Sequence, residues 1–219
     1  MKSSLKNMVL VLFCITLISA ACVGVVNMIT IGPIAQAKET AVKEALAQVL
    51  PVFDSTEKSE HTADELLIIA HKATKEGKVV GYAIESATKN GFSGLVRLMV
   101  GFDTKGTIIN VNVLEQAETP GFGANMTEEC NPILASIQGK EAGKINLTVK
   151  KDGGDVDALT AATISSRAYA EAVARAYQVF EVVAGWDDDV NATSGATQTD
   201  GEWSNHGNFE PKSNRGKEE

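Results

Sequence analysis

A run of hydroxyl and small residues in the second half of the chain offers nucleophilic oxygens among side chains too small to block them. Its members are Asp157, Thr160, Ala161, Ala162, Thr163 and Ser165. A helix is expected to begin near Thr163, because small or apolar residues then recur at the spacing of one helix face. That face comprises Tyr169, Ala172, Val173, Ala176, Tyr177, Phe180, Val183 and Ala184. A hydroxyl at a helix start can cap free backbone N–H groups, and those groups also attract a phosphate. Both interpretations apply to Thr163.

A second stretch with chemical potential is a Pro-Gly loop about forty residues earlier. It contains Glu118, Thr119, Pro120, Gly121, Phe122, Gly123 and Ala124. Proline restricts one φ angle, and the two glycines permit close backbone approach to a flat or bulky group. Taken alone, such a loop indicates only a turn.

Together and in this order, the two stretches resemble the signatures of the FMN-binding subunits of Rnf and Na+-translocating NADH:quinone reductase complexes. The first pattern there is D-x-x-[ST]-[GA]-A-T, here Asp157 to Thr163, and the second is E-T-P-G-[LF]-G-A, here Glu118 to Ala124. In that family a separate flavin transferase esterifies the last threonine with the phosphate of FMN. The resemblance, which covers roughly residues 77–180, therefore implies that Thr163 is the attachment hydroxyl and that the Pro-Gly loop is a wall of the isoalloxazine site.

The resemblance implies a set of cofactor-binding residues besides Thr163. They are Glu118, Thr119, Pro120, Gly121, Phe122, Gly123, Asp157, Thr160, Ala161, Ala162 and Ser165. The family more often has glycine where this chain has Ala161, a departure that matters if the turn needs a positive φ angle there.

A competing attachment site lies near the C-terminus, where Ser194 to Thr197 also fits the end of the attachment pattern. No apolar helix follows Thr197 and no strand precedes it, so the surroundings of a flavin pocket are missing. We therefore predict attachment at Thr163 and not at Thr197.

The segment between the N-terminal region and the Pro-Gly loop predicts an antiparallel meander. Four apolar runs, at 66–73, 79–86, 95–102 and 107–114, are separated by turns containing Lys-Glu-Gly, Asn-Gly and Lys-Gly. The beginning of the first run, 66–70, could also be helical. We further expect a short helix at 131–137 and a strand at 145–150 that leads to the attachment turn. The fold class expected is α+β, an antiparallel-rich sheet with flanking helices.

Residues 8–34 contain no charged side chain. This stretch is long enough for a transmembrane helix, which needs about 20 residues. A cleaved signal peptide is the alternative, but its apolar core would be only about 7 to 15 residues long, so we favour a retained anchor. A breaker-free stretch at 35–50 predicts that the helix continues until Pro51. Lysines flank the span on both sides, so the positive-inside rule gives only a slight preference for one orientation of the helix in the membrane. The short N-terminal tail before a single anchor favours export of the domain that follows.

Composition limits the remaining possibilities. A chain of 219 residues with 44% hydrophobic and 22% charged residues indicates one globular domain with appendages: an anchor at 1–34, the domain at 35–184 and an acidic, disordered tail at 185–219. No basic patch with interleaved aromatics occurs, which argues against nucleic-acid binding. The three histidines lack metal-ligand spacing, and no glycine-rich nucleotide loop is present, so nucleotide chemistry belongs to a partner. We expect Cys130, the one cysteine outside the apolar span, to be a buried thiol.

Together with the apolar span, the resemblance implies a membrane-anchored electron-carrying subunit, not a stand-alone enzyme, with one covalent FMN on the periplasmic or extracytoplasmic side. The resemblance, closest to the G-type subunits of Rnf complexes, implies ferredoxin and NAD+ as terminal partners of the complex, other membrane and iron–sulfur subunits, and a flavin transferase for maturation. Three alternatives remain open: the FMN subunit of the quinone reductase, an anchored non-redox binding module in which Thr163 only caps a helix, and a free-standing extracellular flavoprotein reductase.

Overall fold

The computed structural model describes residues 5–63, 66–128 and 130–193, the last eight by their backbone alone. Contacts divide the chain into two units, Met1–Ala45 and Leu46–Glu219. The helices and strands, in chain order, are α1 Leu5–Val49, β1 Ser55–Ala63, β2 Leu66–Lys75, β3 Lys78–Gly91, β4 Gly94–Phe102, β5 Ile108–Glu115, α2 Pro132–Ile137 and α3 Thr163–Thr193. Short 3-10 turns occupy Gly123–Thr127, Ala142–Lys144 and Lys150–Asp152.

The first unit consists of most of α1. This helix is apolar and long enough to cross a membrane, and the side chains of its apolar stretch are exposed along its whole length. Pro33 lies inside the helix without ending it. As predicted, α1 contains the uncharged stretch 8–34, continues through the following segment, and ends at Val49, just before Pro51.

The five strands of the second unit form one antiparallel sheet in the order β1-β2-β3-β4-β5. The four predicted runs are strands, including residues 66–70, which are not helical. The prediction missed β1, a polar edge strand whose sequence S-T-E-K-S-E-H-T-A lacks the apolar alternation of a half-buried strand. The α+β class with an antiparallel-rich sheet is thus confirmed.

Helix α3 packs on one face of the sheet and runs antiparallel to β3. Near its C-terminal half, the Phe180 ring meets Tyr82 edge-on at 5.4 Å between centroids. Nearer its start, Glu171 accepts hydrogen bonds from Thr88 at 3.1 Å and from Asn90 at 2.9 Å. The first turn of α3 is therefore carried toward the β3–β4 hairpin. The predicted helix face is buried, apart from its partly exposed C-terminal members.

The opposite face of the sheet contacts the last residues of α1 that belong to the second unit. Gln48 accepts a hydrogen bond from Asn112 through its side-chain oxygen at 2.6 Å. A Cβ on Gly101 would lie only 1.9 Å from the carbonyl oxygen of Val49, so a side chain is excluded where helix and sheet meet.

Three expectations differ from the structure. The segment 145–150 is not a strand: Val149 makes a single parallel bridge with Val156, and a 3-10 turn follows. Its apolar residues instead anchor a loop: Val149 is buried in the core, and Ile145 and Leu147 pack against it partly buried. Helix α3 continues to Thr193, past residue 185, the expected start of a disordered tail; residues 194–219 lie outside the described part. Cys130 is exposed, so the expectation of a buried thiol is wrong.

The predicted short helix is α2, and its local sequence explains where it begins. Asn131 precedes it and accepts a hydrogen bond from the Leu134 N–H at 2.9 Å, while Pro132 takes the first helical position. The helix covers the sheet beside β5 with Ile133, Leu134 and Ile137.

Candidate functional site

The Pro-Gly loop and the start of α3, far apart in sequence, enclose one cavity of about 430 Å³. Its lining residues are Phe92, Glu118, Thr119, Phe122, Gly123, Ala161, Ala162, Thr163, Ile164 and Ser165. Three chain segments contribute: the β3–β4 hairpin turn, the loop after β5, and the turn that begins α3. A volume of several hundred cubic ångströms is typical of small-molecule sites.

Most of the residues predicted for the cofactor lie at this cavity. Glu118, Thr119, Phe122, Gly123, Ala161, Ala162 and Ser165 line it together with Thr163. Four predicted residues do not line it: Pro120, Gly121, Asp157 and Thr160. Asp157 instead pairs with Lys150 at 2.6 Å, and its N–H donates to the Ser136 hydroxyl at 3.0 Å. Asp157 therefore supports the turn. The binding roles of all the residues predicted for the cofactor stay predictions.

Sequence reasoning missed Phe92 and Ile164, which form part of the wall. Phe92 is 66% exposed, Phe122 50% and Ile164 47%, so three large apolar side chains surround the opening without being packed in the core. An aromatic residue in a hairpin turn, between Gly91 and Ser93, has no packing reason to be there. That is the signal that could have identified Phe92.

The Thr163 hydroxyl is not used as a helix cap. Thr163 is the first residue of α3, and the carbonyl of Ala162 accepts the first helical hydrogen bond, from Ser166 N–H at 3.0 Å. Ala162 thus precedes the helix and has no side-chain acceptor. Within the described part of the chain, Thr163 Oγ1 makes no hydrogen bond, and the side chain is partly exposed at the cavity. The helix start therefore presents uncapped N–H groups and a free hydroxyl in one place.

A buried serine holds the turn in front of α3. Ser166 is fully buried; its hydroxyl donates to the Ala162 carbonyl at 2.9 Å and accepts from the Leu159 N–H at 2.9 Å. Between these two partners, Ala161 adopts the left-handed conformation with φ 59°. The turn thus uses a positive φ at the position where the resembling family more often has glycine. Ser166 is not among the residues that the sequence predicted.

Glu118 links the three segments of the wall. Its side chain is only 5% exposed, Oε1 accepts from the Ser93 N–H at 3.0 Å, and Oε2 accepts from the Ser165 hydroxyl. Gly123 lies against this pair, because a Cβ there would come within 2.4 Å of Ser165 Oγ. Gly121 has φ 79° in open space, so it serves the shape of the loop and not a close contact.

Arg167 and Asp152, two charged residues near the helix start, do not line the cavity. Arg167 donates to Asp152 at 2.6 Å, and this hydrogen bond holds the pKa of the exposed Asp152 carboxyl below its usual value. Among the described residues no group of three metal-ligating side chains occurs, and the residues that line the cavity include no histidine, lysine or arginine.

This arrangement fits a flat aromatic group linked to a phosphate. Phe92, Phe122 and Ile164 offer apolar walls, while Ala161 and Ala162 leave space beside Thr163. The N-terminus of α3 favours a phosphate esterified to its first hydroxyl through N–H groups and the helix dipole. The residues present therefore suit a flavin phosphate ester.

Comparisons with known proteins agree with this fit. The sequence profile of the FMN-binding domain matches residues 91–178, which include the hairpin turn, the Pro-Gly loop and the turn that begins α3. The chain is 34% identical to the G subunit of the ion-translocating oxidoreductase complex of Shewanella baltica over 186 residues, 77% of this chain and 87% of the relative. The same subunit from Vibrio atlanticus is 32% identical over 190 residues, 81% of this chain and 91% of the relative. That of Salmonella typhi is 42% identical over 107 residues, 48% of this chain and 52% of the relative.

Proposed function

The chain belongs to the family of G subunits of ion-translocating oxidoreductase complexes, and from this premise we propose that it is the electron-transfer subunit of such a complex, carrying FMN esterified to Thr163. The observation that supports the attachment most directly is the free Thr163 hydroxyl at the cavity shared by both signature segments. A threonine that only capped α3 would hydrogen-bond to the helix, and Thr163 Oγ1 has no such bond among the described residues. The capping alternative is thereby weakened.

The attachment step is a phosphoryl transfer to Thr163. Its Oγ1 bonds to the phosphorus of a flavin phosphoanhydride, the bond from phosphorus to the leaving phosphate group breaks, and the hydroxyl proton passes to a base. No electron is gained or lost. Glu118 is the one carboxylate that lines the cavity, and both of its oxygens already accept hydrogen bonds, from the Ser93 N–H and the Ser165 hydroxyl. We therefore assign the base and any metal to a flavin transferase, for which the partly exposed Thr163 hydroxyl leaves room.

Once attached, FMN supplies one- and two-electron exchange, while the protein determines its position and surroundings. Phe92, Phe122 and Ile164 exclude water from a flat ring at the opening, and the N-terminus of α3 holds the phosphate. The covalent bond prevents loss of the cofactor from a domain that we place on the periplasmic or extracytoplasmic side. Helix α1 anchors that domain in the membrane.

The partners follow from the same premise. We propose membrane and iron–sulfur subunits as neighbours in the complex and ferredoxin and NAD+ as its terminal reactants. The names of the relatives favour this assignment over the FMN subunit of the quinone reductase, since the three relatives compared above are G subunits of ion-translocating oxidoreductase complexes.

Peptide mapping tests the attachment site. Trypsin cleavage after Lys151 and Arg167 isolates Thr163 on the peptide 152–167, whereas Thr197 falls on the peptide 176–212. In protein produced together with a flavin transferase, the first peptide should gain the mass of an FMN phosphoester and the second should not. Thr163→Val should give colourless protein whose stability changes by less than about 0.5 kcal/mol, because no hydrogen bond of the hydroxyl is lost.

Thr104→Val is the matched control, since it removes an exposed threonine hydroxyl in the turn between β4 and β5 that does not line the cavity. This variant should remain coloured. Flavin on the peptide 176–212 would move the site to Thr197, and absence of flavin from both peptides in the presence of active transferase would contradict the proposal.

A further inference from the structure

Glu118 is a buried carboxylate at the cavity and has no cationic partner among the described residues. Its side chain is 5% exposed, and acidic side chains are rarely buried to this extent unless they are paired or hydrogen-bonded. Both of its oxygens act as acceptors, one from the Ser93 N–H and one from the Ser165 hydroxyl. Two neutral donors therefore satisfy the carboxylate without cancelling its charge.

The two donors belong to the two other segments of the cavity wall. Ser93 follows Phe92 in the hairpin turn, and Ser165 lies in the first turn of α3, two residues after Thr163. A single carboxylate thus joins the hairpin turn, the Pro-Gly loop and the attachment helix. The close approach of Gly123 to both Ser165 and Glu118 leaves this junction no space for another side chain.

We propose that Glu118 is a positioning residue that assembles the flavin cavity from its three segments and, through its negative charge, lowers the reduction potential of the flavin bound there. This inference rests on the proposed attachment at Thr163. By this inference, the chain not only binds the flavin but also lowers its reduction potential, which makes the reduced flavin a stronger electron donor.

The cavity dimensions indicate the size of the effect. A sphere of about 430 Å³ is about 9 Å across, so a flavin within the cavity is within roughly that distance of the carboxylate. Reduction by two electrons with uptake of one proton adds one negative charge to the flavin. Two like charges about 9 Å apart at an effective dielectric constant of about 20 repel strongly enough to shift an equilibrium more than tenfold.

The test is the midpoint potential of full-length protein loaded with flavin and purified in detergent. Glu118→Gln keeps the shape: its oxygen can accept from the Ser93 N–H, and its amide can donate to the Ser165 hydroxyl. We expect the potential to rise by about 30 mV or more, which is tenfold in the equilibrium constant of a two-electron couple. Glu118→Asp keeps the charge and should stay near the wild-type potential. Glu128→Gln, the matched control, removes an exposed charge from the same loop region and should also leave the potential unchanged.

Peptide mapping of each variant separates this inference from the proposed function. Flavin on the peptide 152–167 of the Glu118→Gln variant with an unchanged potential would overturn the role of the charge. An equal rise in Glu118→Asp would overturn it as well, since geometry alone would then explain the shift. Absence of flavin from wild-type protein would overturn the attachment and this inference with it.

Discussion

Ala161→Gly should stabilise the protein, although it removes a methyl group. Ala161 has φ 59°, a conformation that costs an L-residue with a Cβ about 1–2 kcal/mol. Glycine avoids this cost but loses about 0.5–1 kcal/mol more backbone entropy on folding than alanine. Ala161 is exposed, so little buried apolar area is lost with the methyl group. The difference predicts a net stabilisation of about 0.5–1 kcal/mol.

Thermal or denaturant unfolding of the full-length chain in detergent measures this difference. For a chain of this size, about 1 kcal/mol corresponds to a shift in melting temperature of roughly 2–4 °C. The matched control is Ala117→Gly, also exposed and in a loop but without a positive φ angle. There the same exchange should destabilise by about 0.4–1 kcal/mol, because only the entropy cost remains.

Opposite signs for the two variants are the expected result. If Ala161→Gly destabilises as much as Ala117→Gly does, the left-handed conformation carries no strain and the reasoning is refuted. Flavin attachment should survive the substitution, since the resembling family more often has glycine at this position and Thr163 is unchanged.

Two further predictions concern the buried charges and the loop. Burial opposes ionisation of Glu85, but the hydrogen bond and charge of His71, with a further contribution from Arg97, outweigh it and hold the pKa of this carboxyl below its usual value. The resulting stabilisation is present above the pKa of an unfolded glutamate, about 4.5, and is lost as pH falls through the folded pKa. Between pH 7 and pH 3, the melting temperature of Glu85→Gln should therefore decline less steeply than that of the wild-type protein. Parallel profiles for the two proteins would contradict this prediction. In the loop, Gly123→Ala should alter flavin fluorescence more than Gly121→Ala, because only the Gly123 Cβ would meet Ser165, at 2.4 Å. Both variants should still carry flavin on the peptide 152–167. Equal fluorescence spectra of the two variants would show that the contact at Gly123 does not affect the flavin.

Sequence periodicity was a sound guide wherever an element buries one regular face. The meander and the start of α3 follow directly from such patterns. The same criterion failed for β1, because an edge strand needs backbone hydrogen bonds to its neighbour but not alternating apolar side chains. It also failed for the segment 145–150, whose alternating apolar residues pack against the core from a loop and not from a strand.

The sequence by itself determined the local elements of this protein: an apolar stretch that must be helical and long, a hairpin meander, a Pro-Gly loop, and a hydroxyl at a helix start. Each depends on residues close together in the chain. Only the tertiary structure decided that Phe92 joins the two signature segments, that Glu118 ties the three together, and that the Thr163 hydroxyl is left free. The reason is that α3 packs antiparallel to β3, which brings its first turn to the hairpin, and such contacts across about seventy residues depend on the packing of whole elements.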